Sequence, residues 1–162
     1  MNYQTNVSSN EETKKESKKS TSKKEFNEKP TSAYVGASWG VVLIGLLSYC
    51  IGLWNATMLL NEKGYYFAIL LMGIYAVISL QKVIRDKAEN IKVSEMYYSI
   101  SWVIVIASLL LLIVGLRNAD LELSEKGFYA ISYLLSLFGA ITIQKNTRDI
   151  DFINTKTEEE NS

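Results

Sequence analysis

The sequence predicts an all-α membrane protein whose four transmembrane helices form two tandem helical hairpins of the same orientation. Three observations lead to this fold class. Four long stretches of the 162-residue chain carry no charge, and the charged residues lie between and outside them. The chain also aligns with itself at an offset of 63 residues. A membrane β-barrel is disfavoured because no alternation of polar and apolar residues with regular turn spacing is present.

The four uncharged stretches are long enough to cross a bilayer as helices. Residues 34–54 and 96–116 form runs of 21, and residues 64–81 and 127–144 form runs of 18. A hydrocarbon core about 30 Å thick needs roughly 20 apolar helical residues. Four buried helices of a soluble protein would need far more polar surface than the rest of the chain supplies.

The internal repeat extends beyond shared hydrophobicity. Among the 53 residue pairs that join 34–86 to 97–149, 21 are identical, and they include the charged and turn residues of "EKG" at Glu62 and Glu125. Each repeat is therefore predicted to be a helix, a short polar link and a second helix. The predicted domains are a tail over 1–33, a first repeat over 34–86, a connection over 87–96, a second repeat over 97–149 and an acidic tail over 150–162.

Both tails are predicted to be disordered, since they hold too little apolar surface to offset the entropy of ordering. The N-terminal tail carries seven lysines and five glutamates. Such a mixture is untypical of an arm that binds nucleic acid, so no nucleic-acid partner is expected.

The distribution of lysine and arginine predicts the topology. Fourteen of these residues lie in the N-terminal tail, between Lys82 and Glu95, or after Gln144, and three lie in the two short links. Because cytoplasmic loops of membrane proteins are enriched in Lys and Arg, both termini are expected in the cytoplasm. Two repeats with an even number of spans would then be related by an axis near the membrane normal.

The repeated "EKG" lies where each link enters a membrane helix, on the predicted outer face. Asn61 and Ser124 are predicted to cap these helices, and the glycines after them to allow close approach of a neighbour. The tyrosines that follow are expected at the boundary between water and lipid. The residues around both links could bind a small polar ligand or an ion, or could form only a capped turn with a Glu–Lys pair of roughly 0–1 kcal/mol. This candidate outer-face cluster groups Asn55 with Glu62, Lys63 and Gly64 in the first repeat, and Asn118 with Glu125, Lys126 and Gly127 in the second.

A second repeated motif, "QKxxRD", ends each repeat on the predicted cytoplasmic side. Its cations could contact anionic lipid or a phosphate group, or could serve only as anchors of the positive-inside kind. The candidate residues are Gln81, Lys82, Arg85, Asp86, Gln144, Lys145, Arg148 and Asp149.

Small residues recur every seven positions in the first helix of each repeat, a spacing typical of contact between helices. The predicted packing residues are Ser38, Gly45, Gly52, Ser101, Ser108 and Gly115. Gly36 and Gly40 add a small-xxx-small pattern. The contacts are expected within the chain for the heptad set, and a second subunit is the alternative.

With "GLWNATMLLNEKGYYFA", "QKVIRD", "GLRNADLELSEKGFYA" and "QKNTRD", the chain resembles the YiaA/YiaB two-helix domain family of bacterial inner membrane proteins. The resemblance covers residues 34–149. It implies a multi-pass inner membrane protein with two tandem two-helix domains, and it implies no particular activity.

The composition argues against an enzyme. The chain has no histidine, and its one cysteine, Cys50, lies inside the first predicted span. No catalytic residue, metal site or cofactor is therefore predicted. We expect a non-enzymatic structural or accessory protein whose partners are membrane lipids, a second copy of the chain or other membrane proteins. The alternative is a small channel or transporter for a polar solute or ion.

Overall fold

The structure is a computed structural model that describes residues 30–161. Within this range it contains four α-helices and no strands: α1 (Ser32–Asn55), α2 (Leu60–Ala88), α3 (Glu95–Asn118) and α4 (Leu123–Asn161). Each helix is long and apolar enough to cross a membrane. The predicted fold class, an all-α membrane protein with four transmembrane helices in two tandem repeats, is confirmed.

The chain divides into two compact units, which are described separately. One unit is Ser32–Thr147, and the described part of the other comprises residues 30–31 and 148–161. The disordered tail predicted over 1–33 lies outside the described residues except for its last four. The prediction of disorder after residue 150 was wrong, because α4 continues to Asn161. Extending a helix that already exists avoids the cost of nucleation.

Within the larger unit, the two helices of the first repeat are not each other's main packing partners. α1 contacts α2 only slightly, whereas α2 packs extensively on α3. The hydroxyl of Tyr65 on α2 donates to the carbonyl of Leu111 on α3 at 2.8 Å. In the matching interface, Asn146 of α4 donates to the Ser38 hydroxyl of α1 at 2.9 Å. The first helix of each repeat therefore packs on the second helix of the other repeat.

Four of the six predicted packing residues on α1 and α3 are buried. Ser38, Gly45, Ser101 and Ser108 are buried, and Gly52 and Gly115 are half-buried. The buried positions follow one another at intervals of three or four residues, the spacing of the coiled-coil seam. Since lipid supplies no hydrophobic drive between membrane helices, close packing of such stripes must hold them together.

Two glycines let α1 and α4 approach closely. A Cβ atom on Gly139 would lie 2.7 Å from the N, Cα and Cβ atoms of Val42. A Cβ atom on Gly45 would lie 2.7 Å from the backbone N of Ser136. Because backbone atoms fill the space on the far side, neither position can accept a side chain without separating the helices.

Other glycines singled out from the sequence have open space around them. A Cβ atom on Gly64 or Gly127 would meet nothing within 4 Å, so the expectation that these residues allow close approach was wrong. A Cβ atom on Gly36 or Gly40 likewise meets nothing within 4 Å among residues 30–161. Spacing alone did not distinguish glycines at an interface from glycines on the surface.

A tight turn joins α2 to α3. Asn90 adopts a left-handed conformation with φ of 59°, which asparagine tolerates better than most residues. The amide of Ile91 donates to the carbonyl of Asp86 at 2.8 Å, and the amide of Asn90 to that of Lys87 at 3.2 Å. These two bonds form a Schellman motif. We call this side of the bundle, at residues 89–94, the loop end.

Candidate functional site

The opposite side of the bundle, which we call the link end, holds the two short links at residues 56–59 and 119–122. The N-cap of α2 is Leu59, so Asn61 lies inside the first turn and the prediction that it caps the helix was wrong. The Glu62 carboxylate accepts from the amide of Leu59 at 2.8 Å. In the second repeat, the Glu125 carboxylate accepts from the amide of Glu122 at 3.0 Å. The capped residue is therefore Glu122, which precedes Ser124 in the chain. A glutamate at this position satisfies the donor that the cap residue leaves open.

The end of α1 is closed by side chains of the first link region. Lys63 donates through Nζ to the carbonyl of Trp54 at 2.9 Å. Asn55 donates through Nδ2 to the carbonyl of Ile51 at 2.9 Å. Both bonds satisfy carbonyl groups that a helix C-terminus leaves without partners.

Two clefts open at the link end. The first has a volume of about 500 Å³ and is lined by Thr57, Met58, Asn61, Glu62, Tyr65, Tyr66, Val114, Gly115, Asn118, Ala119 and Asp120. The second has a volume of about 390 Å³ and is lined by Gly52, Asn55, Ala56, Ser124, Glu125, Phe128 and Tyr129. Every residue of the second cleft has its counterpart, 63 positions away, in the first. The clefts are thus two versions of one site.

Each cleft combines residues of both repeats. The first contains Glu62 and Asn118, and the second contains Glu125 and Asn55. The sequence had grouped Asn55 with Glu62 and Asn118 with Glu125, but the structure places the members of each group in different clefts. The exchange follows from the packing, which brings α1 to α4 and α3 to α2.

The remaining members of the predicted outer-face cluster line neither cleft. Lys63 and Gly64 instead border an apolar groove of about 610 Å³, together with Cys50, Leu53, Trp54, Leu60 and Phe67. Lys126 and Gly127 are half-buried outside both clefts.

A pair of nearly perpendicular aromatic rings lines each cleft. The ring centroids of Tyr65 and Tyr66 are 5.3 Å apart with an interplanar angle of 78°. Those of Phe128 and Tyr129 are 5.7 Å apart at 74°. Tyr66 and Tyr129 also stack on each other, with centroids 6.2 Å apart and planes inclined by 17°. The two clefts therefore lie back to back across this stacked pair.

The aromatic pairs were not recognised from the sequence. The tyrosines after "EKG" were expected at the boundary between water and lipid, and Tyr65 is indeed exposed to solvent or lipid. Tyr66 and Tyr129, in contrast, are buried inside the bundle, where their rings stack on each other. The available signal was the recurrence of two adjacent aromatic residues at the same place in both repeats.

Glycines and hydrogen bonds hold these rings in position. A Cβ atom on Gly115 would lie 2.7 Å from Cε1 of Tyr65, and one on Gly52 would lie 2.6 Å from Cε1 of Phe128. The hydroxyl of Tyr49 donates to the carbonyl of Tyr66 at 3.1 Å. The clefts are consequently preformed, with rings seated against the neighbouring helix.

Within the larger unit, the predicted cytoplasmic contacts lie at the opposite end of the helices. Gln81 and Gln144 are half-buried, while Lys82 and Lys145 are exposed. Arg85 forms an ion pair with Glu89, and Asp86 accepts the capping bond from Ile91 described above. Arg148 and Asp149 belong to the second unit and are half-buried there.

Near these residues, sequence reasoning missed Asn146. Its side chain is buried, and it donates to the hydroxyl of Ser38, which in turn donates to the carbonyl of Tyr34 at 2.8 Å. The corresponding residue of the first repeat is the buried Val83. One of the two equivalent interfaces therefore has a buried polar bond where the other is apolar.

Comparison with known proteins agrees with the duplicated fold. A sequence model described as the yiaA/B two helix domain matches residues 34–86 and 97–149. The chain is 51% identical to the inner membrane protein YiaA of Escherichia coli K12 over 117 residues, which cover 72% of this chain and 81% of that protein. It is 27% identical to the inner membrane protein YiaB of the same organism, over 62% of this chain and 86% of YiaB. It is also 38% identical to the membrane protein YubF of Bacillus subtilis 168, over 40% of this chain and 76% of YubF. No solved structure gives a significant match.

Four apolar helices, two repeats and preformed clefts at one end define a multi-pass membrane protein built by duplication of a two-helix unit. The chain belongs to the YiaA/YiaB two-helix domain family. Its similarity to two inner membrane proteins supports a location in the bacterial inner membrane.

Proposed function

We propose that the protein is a non-enzymatic structural or accessory protein of the bacterial inner membrane, with both termini in the cytoplasm. Its partners would be membrane lipids and either a second copy of the chain or another membrane protein. The observation that carries the proposal is the filled interior of the bundle. Among the described residues, Tyr49, Tyr133 and Val83 are fully buried between the helices, and Leu70 is 1% exposed. Such packing leaves little room for a polar pathway through a single chain.

Three buried serine and threonine hydroxyl groups support the same proposal. Ser136 donates to the carbonyl of Ser132, and Thr142 to that of Phe138, each at 2.8 Å. Ser108 donates to the carbonyl of Val105 at 2.8 Å. Because these hydroxyls are satisfied by their own helices, they serve packing and do not require water along the interior.

The clefts favour the second candidate function, a small channel or transporter for a polar solute or ion. Each cleft presents a carboxylate and an amide at the link end, as an entrance for a polar solute would. Against this function, the buried tyrosines Tyr66 and Tyr129 stand at the inner wall of the clefts. The two candidates differ in whether a solute crosses the membrane.

A flux assay separates them. In liposomes that contain the full chain, we expect the flux of potassium, sodium and small organic cations to equal that of protein-free liposomes. The double variant Glu62→Gln and Glu125→Gln should then change nothing, since there is no transport to lose. Flux that exceeds the protein-free level and disappears in the double variant, but persists in the control Asp151→Asn, would replace the accessory role by transport.

The proposed topology has its own test. A reporter enzyme that is active only outside the cytoplasm should be silent when fused after the C-terminus or inserted in residues 89–94. Inserted at Thr57 in the first link, it should be active, because that link carries few cations and is expected on the outer face. The reverse pattern would overturn the orientation and leave the fold unchanged.

A further inference from the structure

We propose that the two clefts at the link end bind small organic cations that carry an ammonium group, one in each cleft. The inference goes beyond the structural or accessory role and does not depend on it. It rests on a combination that occurs twice: a perpendicular pair of aromatic rings, a glutamate and an asparagine.

The aromatic pairs supply the first part of the recognition. The face of an aromatic ring attracts a cation within about 6 Å of its centroid, and aromatic cages are a recurrent solution for ammonium ligands. In each cleft the outer ring, Tyr65 or Phe128, is exposed, and it lies nearly perpendicular to the buried inner ring of Tyr66 or Tyr129, at 78° in the first cleft and 74° in the second. The Tyr65 hydroxyl is held by the Leu111 carbonyl, so in the first cleft the outer ring is already positioned before a ligand arrives.

The glutamates supply the charge. Glu62 and Glu125 each use one carboxylate oxygen for the helix cap, at 2.8 and 3.0 Å, and a carboxylate can accept further hydrogen bonds. Asp120 adds a second carboxylate to the first cleft. Among the described residues that line either cleft there is no lysine or arginine. The negative charge is therefore uncompensated within the clefts, which disfavours an anionic ligand at these helix N-termini.

The residue types favour an organic cation over a metal ion. Calcium is held by six to eight oxygen atoms, and magnesium demands an octahedral set of oxygens. Among the described residues no group of three or more carboxylate, cysteine or histidine side chains could hold a metal ion. Each cleft instead has two aromatic rings beside its carboxylate, and such rings suit a bulky, weakly hydrated cation. Volumes of about 390 and 500 Å³ lie within the range of small-molecule sites.

Recurrence is the second, independent observation. Fewer than half of the aligned positions of the two repeats are identical, yet the carboxylate, the amide, the glycine and both aromatic rings are present in both clefts. Tyr65 and Phe128 differ in the hydroxyl but share the ring. A helix cap requires the glutamate alone, so capping does not explain why the amide, the glycine and the aromatic rings also recur.

The test uses the full chain in detergent micelles and choline as the probe, measured by isothermal titration calorimetry. The control ligand is 3,3-dimethyl-1-butanol, which has the shape of choline without its charge. We expect choline to bind at two sites and the neutral alcohol to bind at least about tenfold more weakly at each. Sodium at the same concentration should not compete.

Matched variants assign the sites. Glu62→Gln keeps an oxygen that can accept from Leu59, so the helix cap survives while the charge is lost, and Glu125→Gln does the same in the second cleft. Each single variant should remove one of the two sites, and the double variant should abolish binding, whereas Asp151→Asn should retain both. Tyr65→Leu should weaken the first site alone.

Several outcomes would overturn the proposal. They are the absence of choline binding in the folded parent protein, equal binding of the neutral alcohol, full competition by sodium, and choline binding that survives the double variant. None of these measurements involves transport, so an outcome that overturns the choline sites would leave the accessory role unaffected. Conversely, flux in liposomes would not by itself produce any of these outcomes.

Discussion

Replacing Tyr49 with alanine is expected to lower the free energy of unfolding by about 3 kcal/mol. Tyr49 is fully buried, with its ring 5.5 Å from that of Tyr129 and its hydroxyl bonded to the carbonyl of Tyr66. In a bilayer the unfolded side chain faces lipid, so the transfer from water contributes little. The cavity remains, however, and a void of about 100 Å³ at about 24 cal/mol per Å³ costs about 2.4 kcal/mol. The lost hydrogen bond adds about 0.5–1 kcal/mol.

The measurement is reversible unfolding in mixed detergent micelles, followed by circular dichroism. Tyr75→Ala is the matched control, because Tyr75 lies on α2 with 65% of its surface exposed and fills no interior space. It should change stability by less than about 0.5 kcal/mol. Tyr49→Phe should isolate the hydrogen bond, with a loss of about 1 kcal/mol. Equal losses for Tyr49→Ala and Tyr75→Ala would contradict the packing described for the bundle.

The second large effect is expected at Gly139, where alanine should destabilise the protein by about 1–3 kcal/mol through overpacking. A Cβ atom there would lie 2.7 Å from backbone atoms of Val42, so α1 and α4 must move apart to admit it. The residue of the first repeat that corresponds to Gly139 is Ala76. The α2–α3 interface therefore already holds a methyl group at this place.

Gly127→Ala is the matched control on the same helix. A Cβ atom there meets nothing within 4 Å, so this change should be neutral or should stabilise by up to about 1 kcal/mol through helix propensity. Val42→Ala should not rescue Gly139→Ala, because the obstructing atoms include the backbone N and Cα of Val42. If that double variant recovers parent stability in the same unfolding assay, the contact is with the side chain and the helices are less close than described.

The candidate site shows where sequence reasoning stops. Glu62 and Glu125 were recognised from repetition, and their placement at helix starts needs only the local chain. Their grouping with Asn55 and Asn118 was taken from proximity in sequence, and it was wrong because the clefts form between helices of different repeats. The same limit applies to glycine. Gly64 and Gly139 are the same residue type, yet an added Cβ atom would meet open space at Gly64 and backbone atoms of Val42 at Gly139.

The sequence by itself determined the number of membrane helices, their approximate ends except for the C-terminal end of α4, and the duplication of the two-helix unit. These properties depend on the length of uncharged stretches and on residues close in the chain, which are visible without coordinates. Only the tertiary structure decided that α1 packs on α4 and α3 on α2, and thus that each cleft draws its glutamate from one repeat and its asparagine from the other. The physical reason is that lipid-facing and partner-facing surfaces of a membrane helix are both apolar, so the choice of partner depends on shape complementarity between distant residues.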